Sequence, residues 1–200
     1  MSKERPWARA DPDEYRELPL RAHELLAQVP LHDVWRVDLP HHGADYSIED
    51  VRSLFSLDSM SAINPAVRAL FALRGWMGRV FRWDAAHASG EHPDSYLQWL
   101  TPADHEESII EPGTPDPPFT VLYVRSNEAV TEIQNATVQA FSVLAIKPRF
   151  EDYRVYWAIY VRSVSRWTPF YMALIEPFRR FVVYPSVLRH AHRSWCARPR

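Results

Sequence analysis

An α+β fold is predicted: helices first, then an antiparallel meander, then a long amphipathic helix lying across the sheet. Three observations predict it. Four runs rich in Val, Ile, Thr, Tyr and Phe follow one another after Phe119 with short connections, which makes hairpins and leaves no room for βαβ crossovers. The N-terminal half carries helix-start signals and one strand-like alternation. The last stretch holds a sustained apolar stripe at helical spacing.

Residues 1–19 are polar and punctuated by Pro6, Pro12 and Pro19, so an irregular leader is expected, followed by a single domain over 20–200. Leu20 to Val29 suits a short helix that Pro30 ends. Asp33 to Leu39 alternates polar and apolar residues, the period of a half-buried strand. Ser47-Ile48-Glu49-Asp50 resembles a capping box with aspartate in the usual Glu/Gln place, opening a helix through about Leu57. Asn64-Pro65 starts another helix, with Val67, Leu70, Phe71, Met77 and Phe81 on one face. Gly75 and Gly78 each cost that helix about 1 kcal/mol relative to alanine. Residues 84–118 are acidic and proline-rich and read as loop with one helical turn, with a chain turn over Glu111 to Pro115.

The strands are expected at Phe119 to Arg125, Ala129 to Ile133, Ala136 to Ile146 and Tyr153 to Val164. In the last of them Tyr153, Val155, Trp157, Ile159 and Val161 share one face, and Arg154, Tyr156, Tyr160 and Arg162 the other. Thr168-Pro169 then caps the final helix. Its stripe runs Tyr171, Leu174, Phe178, Phe181, Pro185, Leu188, His192, Trp195, and Pro177 and Pro185 should bend or break it.

With 200 residues and 46% hydrophobic content, the chain can bury one real core. The single cysteine, Cys196, excludes a disulfide framework and fits a reducing, cytoplasmic setting. The N-terminus is too polar for a signal peptide. Phe170 to Leu188 is long enough to span a bilayer. However, Glu176, Arg179 and Arg180 sit within it, each costing about 2.5–3.5 kcal/mol in lipid, so no span is expected. Five glycines assemble no GxGxxG and no phosphate loop, and no cofactor is expected. Net charge is −2, but the residues from Arg162 onward carry +7. That basic end suits contact with a partner or with the acidic remainder of its own chain. No nucleic-acid motif accompanies it.

The run from Thr168 to Arg189, which includes Tyr171-Met-Ala-Leu-Ile-Glu-Pro-Phe-Arg-Arg180, resembles the C-terminal signature Y-M-x-L-I-x-P-F-R-R of an uncharacterised bacterial family. That family is known only as a domain of unknown function. Glu132 to Val138, Tyr156 to Tyr160, His32 to Trp35 and Leu70 to Arg74 are similar to it as well. Such proteins resemble the START/SRPBCC-like helix-grip superfamily. The resemblance implies a curved antiparallel sheet wrapped around a long C-terminal helix, with a cavity between them that holds an apolar ligand. It transfers no catalytic residues.

On this reading Tyr123, Phe141, Trp157 and Tyr171 either line an apolar cavity or serve as ordinary core. Glu132, Asn135 and Thr137 are either polar fixtures inside that cavity or residues on the wet side of the sheet. His32-Asp33 is either a polar pair at a cavity mouth or structural. His41-His42 and His190-x-His192 point apart, and His87-x4-His92, in a presumed loop beside Asp84 and Glu91, is the least poor candidate for a shared ion; these read more simply as surface histidines, so no metal site is expected. No GxSxG elbow is present, and Cys196 is not expected to be a nucleophile. Glu176 and Arg180 are spaced to pair along the helix. Three functions fit: a binder of a small apolar molecule, a helix-grip enzyme of cyclase or hydrolase type acting on an enclosed apolar substrate, and a protein-interaction module whose core its own aromatics fill.

Overall fold

The computed structural model describes residues 5–40, 47–55, 94–134, 138–149, 152–164, 173 and 176–198. Among these residues seven strands form one sheet: β1 (Trp7–Arg9), β2 (Leu31–Pro40), β3 (Pro115–Asp116), β4 (Phe119–Val124), β5 (Glu128–Gln134), β6 (Val138–Pro148) and β7 (Asp152–Ser163). The order is β1-β2-β7-β6-β5-β4-β3, and every neighbouring pair is antiparallel. The meander expected after Phe119 is therefore present as β4 to β7. The alternating run at Asp33 becomes β2, which pairs with β7 from Leu31↔Tyr160 to Pro40↔Asp152.

Both faces of this sheet are dry, because helices cover both. Over one face, the leader face, lie α1 (Pro12–Arg16), α2 (Arg21–Leu25), a short 3-10 turn at Tyr96–Trp99 and α4 (Pro102–Glu106). Tyr15, Leu18, Leu20, Ala22, Leu26 and Tyr96 meet Val34, Val130, Phe141, Val143, Tyr156, Ala158 and Tyr160 there. Over the other, the helix face, lie α3 (Ile48–Leu54) and α5 (Tyr184–Cys196). They press Val51, Leu54, Val187, Leu188, Ala191 and Trp195 onto Val37, Leu39, Leu144, Val155 and Trp157. Strand alternation sorts β7 as the sequence predicts, but the Tyr156/Tyr160 side is core, not a wet surface.

The leader is the first correction. Residues 5–19 are not irregular: β1 pairs Trp7 with Val37 and Arg9 with Trp35, and Asp11 caps α1 through the Asp13 amide at 2.9 Å, with Pro12 opening the helix. Tyr15 reaches the core with no exposed surface. The three prolines concealed a cap-plus-proline start of the kind read at Asn64-Pro65, a stretch outside the described residues. Tyr15→Ala is expected to cost about 3 kcal/mol, read as a lower urea midpoint with an unchanged slope.

Other elements match their signals closely. Ser47 and Asp50 form the reciprocal capping box, and α3 ends at Leu54 rather than Leu57. Within 94–118, read as loop with one helical turn, the chain holds the 3-10 turn, α4 with its own Thr101/Asp104 capping box, and β3. The turn expected near Glu111 contains Gly113 at φ 89, which suits glycine because no Cβ crowds it there. The C-terminal helix departs from its expected stripe. A π-helical turn, Arg179–Val183, precedes α5, and Pro185 lies in the first turn of α5. Proline cannot donate to the ladder and crowds the preceding turn, and the wider π turn accommodates it. The extra residue rotates the apolar face, so Phe181 is 74% exposed while Tyr184 takes the core position.

Candidate functional site

The two irregularities just described point to one place. β2 carries a bulge between Leu31 and Asp33, which brings His32 to the same side as Asp33. Facing it across the helix face is the π turn that carries Arg179 and leads into Tyr184. His32 Nε2 lies 3.0 Å from Glu176 Oε2 and 3.6 Å from Asp33 Oδ2. The Tyr184 hydroxyl donates to Asp33 Oδ2 at 3.1 Å and accepts from Arg179. Arg179 nitrogens stand 3.8 Å from Asp33 and 3.9 Å from Glu176, and Arg9 reaches Asp33 Oδ1 at 3.5 Å. Asp33 is buried, while His32 and Glu176 keep about a third of their side chains open. Burial, opposed by Arg179, pushes the Tyr184 hydroxyl well above the usual phenol range.

An aromatic wall adjoins this cluster. Trp35 and Trp157 are register partners on β2 and β7, and the Tyr184 ring lies 5.1 Å from the first and 5.3 Å from the second. Phe55 meets Trp157 edge-on at 5.4 Å. The Trp157 indole donates to Ser142 Oγ at 2.9 Å. The Trp35 indole nitrogen, by contrast, is buried with no hydrogen-bond partner among the described residues. A buried unpaired donor costs on the order of 1–3 kcal/mol, so this one is poised for an acceptor.

His32, Asp33 and Glu176 present three ligand atoms within 4.8 Å of one another, the dimension of a metal site. Two features argue against that use. Arg179 already places positive charge against the same carboxylate oxygens, and the Tyr184 hydroxyl occupies a lone pair of Asp33 Oδ2. Asp33 and Glu176 are balanced by Arg9 and Arg179, so the cluster is close to electroneutral. Glu176 pairs with Arg179 and His32, and not with Arg180 as the spacing predicts.

The residues singled out from sequence do not share one pocket. Tyr123, Glu132 and Phe141 lie on the leader face and Trp157 on the helix face, so the sheet itself separates them. Asn135, Thr137 and Tyr171 lie outside the described residues, as do His41, His42, His87, His92 and the Thr168-Pro169 cap. Glu132 is buried and accepts from Ser95 Oγ at 2.7 Å, the Tyr96 amide at 3.2 Å and Gln139 Nε2 at 2.6 Å, which pins the 3-10 turn to the sheet. Tyr123 and Phe141 are fully buried in the leader-face core. Glu176, Arg179, Tyr184 and Trp35 carry no local pattern that marks them as site residues; the His32-Asp33 pair is the one usable signal in the sequence. Cys196, expected to have no spacing relation to a histidine, comes within 3.6 Å of His192, one helical turn away on the exposed side of α5. Part of the basic end is answered internally: Arg198 bonds Asp50 at 3.2 Å, and Arg189 stacks over Trp7.

These features define an α+β protein whose antiparallel sheet is covered on both faces and carries a polar cluster beside an aromatic wall. The chain belongs to the family described as "Protein of unknown function (DUF2867)", which matches residues 25–186. The match contains every member of the polar cluster except Arg9. No curated protein and no solved structure matches the chain. No helix among the described residues is long and apolar enough to cross a membrane.

Proposed function

We propose that this protein binds a small, neutral, largely apolar molecule on the helix face, with the body of the ligand against Trp157 and Tyr184 and its acceptor oxygen at the Trp35 indole N–H, beside His32. The fold is read as a helix-grip, START-like variant, cytoplasmic and of the bacterial family it resembles, in which the leader closes the outer face of the sheet. One observation carries the reading: a β-bulge and a π turn, both backbone irregularities of the kind found beside functional sites, converge on one charge-balanced cluster. The unpaired Trp35 donor sets the ligand's chemistry. It calls for an acceptor oxygen, and the balanced charges give no reason for a charged ligand.

Native mass spectrometry of freshly purified protein, followed by solvent extraction, tests this. A stoichiometric extractable mass is expected. Trp35→Phe keeps an aromatic ring, smaller than the indole, and removes the donor, so it should weaken that complex about tenfold, with the unfolding midpoint measured alongside to separate lost packing from the lost hydrogen bond. A clean apo mass with no uptake of an apolar dye would favour the interaction module with a filled core.

A further inference from the structure

We infer that the same site performs proton transfer, with His32 as the catalytic base toward an apolar carbonyl compound that has an acidic C–H beside its carbonyl group. The inference rests on the binding reading above. Both acceptors near the imidazole, Glu176 Oε2 and Asp33 Oδ2, lie at Nε2, which fixes the ring proton there. Nδ1 has no hydrogen-bond partner among the described residues and is the basic nitrogen. The ring is 30% exposed, so a bound molecule can reach it. Trp35 stands one side-chain repeat beyond Asp33 on the same strand face and offers its unpaired N–H. A base, a neutral donor and an aromatic wall together fit a substrate with an acidic proton, an acceptor oxygen and an apolar body.

The step balances without a co-reactant. The C–H bond breaks and its proton goes to His32 Nδ1. The electron pair forms the enolate C=C, and the carbonyl π pair moves to oxygen, where the Trp35 N–H receives the charge. Return of a solvent-exchanged proton from His32 to carbon completes the cycle. Glu176 is a positioning residue: it holds the Nε2–H and offsets the charge of the imidazolium.

β-Tetralone in D2O is a direct probe. Tryptophan fluorescence reads its binding, and proton NMR reads exchange of its acidic C–H for deuterium. The wild-type protein should bind it saturably and speed exchange about a hundredfold over free imidazole at equal concentration. His32→Ala should lose the acceleration even when saturated with ketone, as read by fluorescence, and added imidazole should restore part of the rate in that variant. Glu176→Gln should slow exchange with affinity unchanged. Saturable binding with exchange at background, or a His32→Ala protein as fast as wild type, overturns the inference and leaves the binding reading standing. Absence of saturable ketone binding overturns the substrate class; if solvent extraction is also empty, the binding reading falls with it.

Discussion

Asp104→Ala is expected to destabilise the fold by about 3 kcal/mol, because it takes a buried carboxylate away from two half-buried arginines and from a helix cap. Arg21 grips Asp104 with two bonds, at 3.0 and 3.1 Å, and Arg125 adds a third at 2.8 Å. The same carboxylate closes the α4 capping box with Thr101. Removing it unfastens α2, α4 and the turn between β4 and β5 together. The pH dependence has a definite sign. Burial alone would raise the Asp104 pKa, but bonds from Arg21 and Thr101 outweigh it and bring it down to about 2. A depressed acid stabilises the fold above its unfolded value of 3.8, and that contribution, about 2 kcal/mol, is lost as pH falls toward 2. Glu128 runs the other way. It caps α2 from β5 through the Arg21 and Ala22 amides, yet burial pushes its pKa up, so its protonation on mild acidification favours the folded state. Urea titrations across this range should show the loss below pH 3.8 in wild type and a flattened acid limb in Asp104→Asn.

Trp195→Ala should lose a similar amount, about 3–5 kcal/mol. The indole is fully buried between α5 and the sheet, donates to the Pro40 carbonyl at 2.8 Å and meets Tyr153 edge-on. Trp195→Phe should recover most of the packing and leave a deficit of about 1 kcal/mol for the unpaired carbonyl. Equilibrium urea unfolding separates the two variants, since the expected difference is several times the error of extrapolation. If both variants unfold at the wild-type midpoint, α5 is not a structural part of the domain.

Trp195 also marks how far the sequence could be read. As the last residue of the apolar stripe it was identifiable from spacing alone, as were Leu188 and the inward face of β7. Phe181 was not, because a stripe assumes a constant 3.6-residue period and the π turn breaks it. Strand positions followed composition, but covering of the second face depended on Tyr15, a residue inside a stretch whose prolines suggested an irregular leader. The polar cluster was half legible. His32-Asp33 stood out as a polar pair at a strand start, whereas its partners Glu176, Arg179 and Tyr184 lie in another element, brought close by tertiary packing that no local pattern encodes. The bulge that turns His32 has no local sequence signature either. Tyr123 and Trp157 look alike as aromatic strand residues, and only register assigns them to opposite faces.

The placement of β2 next to β7 governs how this chain must be made. Asp38 and Arg154 bond across that junction although 116 residues separate them in the sequence. On the ribosome β2 emerges early with only the three residues of β1 to pair with, and its long edge stays open until the twelve residues of β7 have left the exit tunnel. Through that interval β1 and β2 offer unpaired backbone edges, and Val34, Val37 and Leu39 have no core to enter. Closure of so long a loop makes the last pairing the slow step of folding. Nascent chains that stop short of residue 152 are therefore the form of this protein most exposed to aggregation and most in need of chaperones.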